Sequence, residues 1–294
     1  MKRTTHHQLV GSVLGLCLLL SVGCAARGVT VSERTTQAPM ATLPLKPYFG
    51  DLKSIDVTAG DKAVPFLFDT GGGLTCITPE VARNVGCTPF GRLTGFRSIG
   101  ERLDLERCGK IPLRLGSASL EIELAVFDLM PLLKQQGDVP LAGGMASLDM
   151  FAGLPLTLDF THGTLVIESP ASLVERVKSM KPISVRFQRQ AGGAALDLFL
   201  EIQAKTGTIW LEVDSGNAGP VRLSPHAIKQ LGLNASLNDR VDVTLEVRGL
   251  GALPNDAYVD ERIYDGLLNT IFLKQIVLTV DFSTGRAWAR KHAE

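Results

Sequence analysis

An excess of charge of either sign is the first thing this chain lacks. Thirty Lys and Arg are balanced by thirty Asp and Glu over 294 residues. No long basic run is present, which argues against nucleic acid as a main partner. Other absences narrow the chemistry. No Gly-Lys-Ser/Thr follows the glycine run Gly71-Gly72-Gly73, so a phosphate-cradling loop is not expected. No Gly-x-Ser-x-Gly elbow is there to present a nucleophilic serine. The five histidines, His6, His7, His162, His226 and His292, show no metal-ligand spacing, and His226 reads as a solvated residue. Hydrophobic residues, at 45%, are ample for two packed domains and unlike a disordered or collagenous chain.

The amino terminus is set apart from the fold. Lys2 and Arg3 give a positive start, Leu9 to Leu20 is an apolar core, and Leu20-Ser21-Val22-Gly23-Cys24 is a cleavage site. Residues 1–24 resemble a bacterial lipoprotein signal peptide. That resemblance implies a lipid on Cys24 and an exported, membrane-anchored protein facing the periplasm. Ala26 at the second mature position implies the outer membrane. Ordinary secretion and an uncleaved anchor over Leu9 to Ala26 are the alternatives, and each of them also exports the domain. Residues 25–44, with Ser, Thr and Pro and no apolar period, read as a flexible tether.

The rest of the chain is organised by a duplication. Phe66-Leu67-Phe68-Asp69-Thr70-Gly71 is an apolar strand ending abruptly at a carboxylate, a hydroxyl and glycine. Trp210-Leu211-Glu212-Val213-Asp214-Ser215-Gly216 repeats the design. A carboxylate carried out of an apolar strand is costly to bury unless it has a partner or a task. Each copy is followed by a short helix with an N-cap, a first-turn proline and a terminal glycine: Thr78-Pro79 to Gly86, and Ser224-Pro225 to Gly232. Further on, Leu156-Thr157-Leu158-Asp159-Phe160 with Gly163 matches Leu278-Thr279-Val280-Asp281-Phe282 with Gly285, each reading as a strand–turn–strand hairpin. Asp159 and Asp281 then serve their own turns. Three unlike elements in one order predict two homologous, mostly β lobes. Lobe one is residues 45–170, a linker with a short helix is 171–182, and lobe two is 183–290.

Over roughly Pro47 to Arg290 the sequence resembles the aspartic proteases, in particular bacterial members with a retropepsin-like unit duplicated in one chain, as in the pepsins. The resemblance implies a cleft between two lobes of that fold, with Asp69 and Asp214 as the catalytic pair. Thr70 and Ser215 would bond across to the opposite loop, and Gly71 and Gly216 would permit the close approach. It further implies a flap in lobe one, at the segment holding Phe96, Ile99 and Gly100, because the interval from Asp69 to Asp159 exceeds that from Asp214 to Asp281. No tyrosine lies in that segment. Four positions depart from the pattern. Gly72 and Asn217 stand where a small Ala, Ser or Thr is usual, and Ser147 and Asn269 stand where a late glycine is usual.

With Cys17 and Cys24 assigned to the signal and the lipid, Cys76, Cys87 and Cys108 remain. They allow either one disulfide, Cys87 to Cys108 flanking the flap segment, or three reduced thiols. Cys76 lies in an apolar strand and reads as packing. The expected function is an exported aspartic endopeptidase acting as a monomer on peptide or protein substrates. Its two carboxyls would share one proton, activate water, and need no metal or cofactor. The alternative is a non-catalytic binding module that holds a peptide or cell-envelope component in the same cleft.

Overall fold

Alternation of polar and apolar residues accounts for many of the strands. In Arg240–Val247, Val243, Leu245 and Val247 are buried while Asp242 and Thr244 are exposed. The computed structural model describes residues 38–292 apart from Gln136. The expected signal segment, the expected lipidation site Cys24 and residues 25–37 of the expected tether lie outside them. Among the described residues no helix is long and apolar enough to cross a membrane.

The protein is mostly β, with two lobes in which six strands close into a ring. In lobe one the ring runs Lys53–Ala59, Lys62–Phe68, Gly144–Ala146, Cys76–Ile77, Ala118–Val126 and Arg102–Leu115, and the last pairs back to the first. In lobe two it runs Asp197–Ala204, Gly207–Glu212, Gly266–Leu267, Val221–Leu223, Gly251–Val259 and Arg240–Val247, closed the same way. Even the parallel pairings fall at matching places: Lys62–Phe68 on Gly144–Ala146, and Gly207–Glu212 on Gly266–Leu267. The duplication read in the sequence is therefore present in the fold.

A third, six-stranded sheet joins the lobes in the order Ala41–Pro44, Thr164–Ile167, Pro155–Asp159, Ile276–Asp281, Arg286–Lys291, Lys181–Ile183. At its centre Thr157 pairs with Thr279, the matching residue of the other hairpin, and their buried hydroxyls lie 2.8 Å apart. The two late hairpins thus leave their own rings and meet in one shared sheet.

Two segments differ from expectation. Residues 41–44, assigned to the flexible tether, form an edge strand on Thr164–Ile167. Ala41 and Leu43 are buried on the core side while Thr42 and Pro44 face outward, a period of two too short to stand out in the sequence. The linker holds the helix Pro170–Val177, but Pro182 lies within the strand Lys181–Ile183. That strand is at the edge of its sheet, where a residue without an N–H is tolerated.

The helices Pro79–Asn84 and Pro225–Leu231 start where the caps predict. Thr78 Oγ1 accepts from Val81 N at 3.4 Å, and Ser224 Oγ accepts from Ala227 N at 3.1 Å. Gly232 ends the second in the left-handed conformation, at φ 71°. Cys87 and Cys108 are joined by a disulfide that ties the exit of the first helix to the long Arg102–Leu115 strand, and Cys76 is free and buried.

Candidate functional site

The strand Lys62–Phe68 runs from exposed Lys62 and Ala63 to fully buried Phe66 and Phe68, so it delivers Asp69 into the interior. Gly207–Glu212 does the same for Asp214. Each strand pairs with a short strand, Gly144–Ala146 or Gly266–Leu267, and glycine lets that short strand pack closely on its other neighbour. A Cβ on Gly144 would strike the Cys76 carbonyl oxygen, and one on Gly266 would strike that of Arg222.

Reciprocal hydrogen bonds join the two loops. Thr70 Oγ1 donates to Val213 O at 2.6 Å and accepts from Ser215 N at 2.9 Å. Ser215 Oγ donates to Phe68 O at 3.1 Å and accepts from Thr70 N at 3.0 Å. All four residues are buried, so each bond also satisfies groups that would be costly to leave unpaired. The carboxyls follow from this grip. A Cβ on Gly71 would lie 2.7 Å from Asp214 Cγ, and one on Gly216 would lie 2.6 Å from Asp69 Cγ. Each carboxyl therefore rests on the glycine of the opposite loop. Gly71 N and Gly216 N donate to Asp69 Oδ1 at 2.9 and 3.2 Å, and Gly216 N also donates to Asp214 Oδ1 at 2.8 Å.

Burial raises both acids above the ordinary carboxylate range. For Asp69 the backbone N–H groups oppose the rise, and for Asp214 the Asp69 charge adds to it, so Asp214 lies well above. The two acids lie close enough that their titration belongs to the two together.

The four departures have structural explanations. A Cβ on Gly72 would meet Ser147 Oγ at 2.5 Å and Met145 Cε at 2.6 Å, so these two side chains occupy the space that a larger residue at position 72 would use. Asn217 closes its own turn, donating to Pro220 O and Leu268 O and accepting from Gly219 N. Ser147 and Asn269 stand at extended N-cap positions of Leu148–Phe151 and Thr270–Lys274, at φ −116° and −135°. Glycine's freedom is not required at either. Asn269 Oδ1 accepts from Phe272 N at 2.8 Å, as a good N-cap does.

The segment with Phe96, Ile99 and Gly100 is a hairpin tip over this cleft. Phe96 lines the cavity, and Phe96 and Ile99 are about half exposed. Gly100 takes φ 82° in the turn. The tip reaches lobe two, where Ser98 O accepts from Ile263 N at 2.9 Å and Ser98 Oγ accepts from Arg262 Nη1.

The cavity beneath has a volume of about 360 Å³. It holds acids that the motif reading did not single out. Glu212 is 3% exposed, and no described residue donates a hydrogen bond to its carboxyl. Burial pushes it well above its ordinary range, the charges of Asp197, Asp214 and Asp69 push the same way, and Arg262 opposes them. Asp197 is raised to about 6 by burial, with the Asp69 charge adding and a hydrogen bond from Gln190 Nε2 at 3.1 Å opposing. Gln190 Nε2 also donates to the Tyr264 hydroxyl, itself raised by burial and then by Glu212 and Asp197. A signal for Glu212 was present. It lies two residues before Asp214 on one strand and so on the same face, where lobe one carries Leu67. Asp197, Gln190 and Tyr264 are far from either motif in sequence and carried none.

Behind the first loop, Asp149 accepts from Thr75 N and Oγ1 at 2.8 and 2.6 Å, and burial raises it to about 6. Burial likewise pushes the Cys76 thiol up to about 12, which keeps it an inert packing group. A larger open depression of about 820 Å³ on lobe two, around Arg186, Trp210 and His226, contains neither paired acid.

No family model matches the chain, and no curated protein matches it. Solved structures do. The basic 7S globulin from soybean is similar over 84% of this chain and 93% of its own, at 9% identity and a TM-score of 0.52. Conglutin gamma, a basic 7S globulin from lupine seeds, is similar over 87% of this chain and 96% of its own, at 10% identity and a TM-score of 0.55. At such identity the likeness is one of fold alone. It corrects two expectations: these two similar structures are basic 7S globulins rather than aspartic proteases, and no family model or curated protein supports membership of a bacterial aspartic protease family. The endopeptidase function that rested on that resemblance falls with it. In this cavity Asp69 and Asp214 are not an isolated pair but two of four crowded acids.

Proposed function

We propose that this protein is a binding protein whose inter-lobe cleft captures a peptide segment carrying a protonated lysine or arginine beside an apolar side chain, and holds it uncut. The observation that carries this reading is the polarity of the cavity. Lobe one contributes Leu67, Leu103 and Phe127 beside Asp69 and, at the hairpin tip, Arg97, while lobe two contributes Asp197, Glu212 and Asp214, so three of the four acids come from one side. A buried carboxyl with no donor is costly when ionised, and a cation entering the cleft supplies the missing partner. Glu212 and Asp197 then give up protons as the ligand binds, so affinity rises with pH while they titrate. A volume of about 360 Å³ suits one long side chain and its neighbour rather than a folded partner. Entry requires the hairpin tip to release Arg262 and Ile263, two hydrogen bonds in all.

The reciprocal grip and the pairing of Thr157 with Thr279 support a pepsin-like arrangement of lobes as the scaffold, with the flap used as a lid. The amino-terminal sequence supports export and a lipid anchor on Cys24, with the protein working as a monomer at the outer membrane. The test is calorimetric titration of the full chain with a peptide library varied at one position among lysine, arginine, citrulline and norleucine. Lysine and arginine peptides are expected to bind at least about tenfold more tightly than their neutral counterparts, and Glu212→Gln with Asp197→Asn to erase the preference. Equal affinity for charged and neutral peptides, or hydrolysis of the bound peptide, overturns the reading.

A further inference from the structure

Away from the cleft, at the end of the shared sheet, Asp159, His162 and His292 converge. We propose that these three side chains form a binding site for a divalent transition metal, Zn²⁺ by the nature of the donors, which clamps the carboxy-terminal strand onto the lobe-one hairpin.

The sequence concealed this group because 129 residues lie between the two histidines. The sheet brings them together. Asp159 ends the strand Pro155–Asp159, which pairs with Ile276–Asp281 so that Asp159 faces Val277. The strand Arg286–Lys291 pairs with the other edge of Ile276–Asp281, and His292 follows it, its backbone N–H donating to Gln275 O at 3.0 Å. His162 reaches back from the hairpin turn. One ligand atom from each of the three residues lies within 4.8 Å of the other two. His162 Nδ1 is 2.8 Å from Asp159 Oδ2, and His292 Nε2 is 3.4 Å from Asp159 Oδ1. Ligand atoms at about 2.0–2.1 Å from a tetrahedral zinc stand about 3.3 Å from one another, so small side-chain rotations suffice to seat the ion.

Two observations point beyond a turn that merely satisfies itself. His292 Nε2 is buried and makes no hydrogen bond among the described residues, although it is aimed at the carboxylate. A buried nitrogen that faces a carboxylate oxygen at 3.4 Å without a hydrogen bond stands at the separation of two ligands on one ion, and a metal would satisfy both. The second observation is the matching hairpin of the other lobe. Asp281 occupies the position of Asp159, and its carboxyl is satisfied by Ser283 N, Ser283 Oγ and Thr284 Oγ1 at 2.6 to 3.0 Å. Hydroxyls therefore serve this turn fully, and nothing in the fold demands imidazole at position 162. Two imidazoles with one carboxylate make a donor set for zinc, cobalt, nickel or copper rather than calcium or magnesium. The exposed ring of His162 leaves the fourth position open to solvent.

The experiment uses the full chain carrying His6→Ala and His7→Ala, so that the amino-terminal imidazoles contribute nothing, after chelation and dialysis. Titration with Co²⁺ is expected to produce a visible ligand-field band that saturates at one equivalent and is displaced by Zn²⁺. His162→Ala and His292→Ala should each weaken binding by more than about tenfold, while His226→Ala leaves it unchanged. Because His162 is exposed, its removal does not threaten folding, and circular dichroism of that variant checks this. Zn²⁺ should also raise the melting temperature of the parent and not that of His162→Ala. Absence of a stoichiometric band, or a band that persists in both histidine variants, overturns the site.

Discussion

The two lobes share a strand order and a loop geometry, yet their paired strands bring different company to the same place. Lobe one sends Leu67 and Asp69 to the cleft, and lobe two sends Glu212 and Asp214 from the matching positions. Lobe two also contributes Asp197, Tyr264 and Arg262 around them. The same asymmetry recurs at the late hairpins, where Asp159 meets two histidines and Asp281 meets two hydroxyl residues. Duplication preserved what the backbone needs, namely the glycines and the reciprocal hydroxyls. It left free the side chains that face a cavity or solvent, and there the lobes diverged. Chemistry in this molecule is thus written in the differences between its halves.

The largest effect tests what the lobes have in common. Gly144→Ala and Gly266→Ala each push a Cβ into a backbone carbonyl that cannot move without opening the ring. Each is expected to cost about 3 kcal/mol or more, measured by urea unfolding. A loss in one lobe only would show that the rings are not equivalent in their packing.

A smaller effect tests what separates them. Glu212→Leu makes lobe two resemble lobe one at this position and replaces a buried carboxyl by an apolar group. A gain of about 2 kcal/mol at pH 7 is expected. Its pH dependence follows from the direction of the shift. A carboxyl raised in the folded state is favoured there when protonated, so the stability it carries is present below the unfolded pKa and is lost as pH rises through the folded one. The advantage of Glu212→Leu over the parent should therefore grow with pH above about 4, the unfolded carboxyl range. Asp197→Asn should do likewise, chiefly between about 4 and 6, since Asp197 titrates near 6 when folded. Unfolding curves at pH 4 and pH 7 that differ equally in parent and variants would place these acids outside the cavity's electrostatics.

The smallest effect sharpens the comparison at the grip. Thr70→Ala removes one hydroxyl that donates and accepts across the interface, and Ser215→Ala removes its counterpart. Each should cost about 1 kcal/mol, with the double variant costing less than the sum because the bonds join the same residues. Strict additivity would mean that the two hydroxyls act apart.

Much of this architecture could be read along the chain. Thr78-Pro79 and Ser224-Pro225 announced helices because capping is decided within four residues. The strands ending at Asp69 and Asp214 were visible because burial rises along an apolar run. Residues 41–44 were assigned to a tether because four residues show too little period to separate an edge strand from a linker. The resemblance, supported by lobe length, implies a place near the cleft for Phe96 and Gly100, while the tip's bonds to Arg262 and Ile263 depend on the opposite lobe.

What the sequence by itself determined are the features whose cause is local or repeated: strand period, helix caps, turn glycines and the duplicated order of elements. The tertiary structure alone decided which polar groups share an environment. Glu212 became a buried acid with no donor only when Asp197 and Asp214 closed around it. His292 gained a carboxylate at 3.4 Å only when two strands flanked Ile276–Asp281. The reason is physical. Propensity and capping act over a few residues, whereas desolvation and charge coupling act over a few ångströms, between residues that chain closure alone makes neighbours.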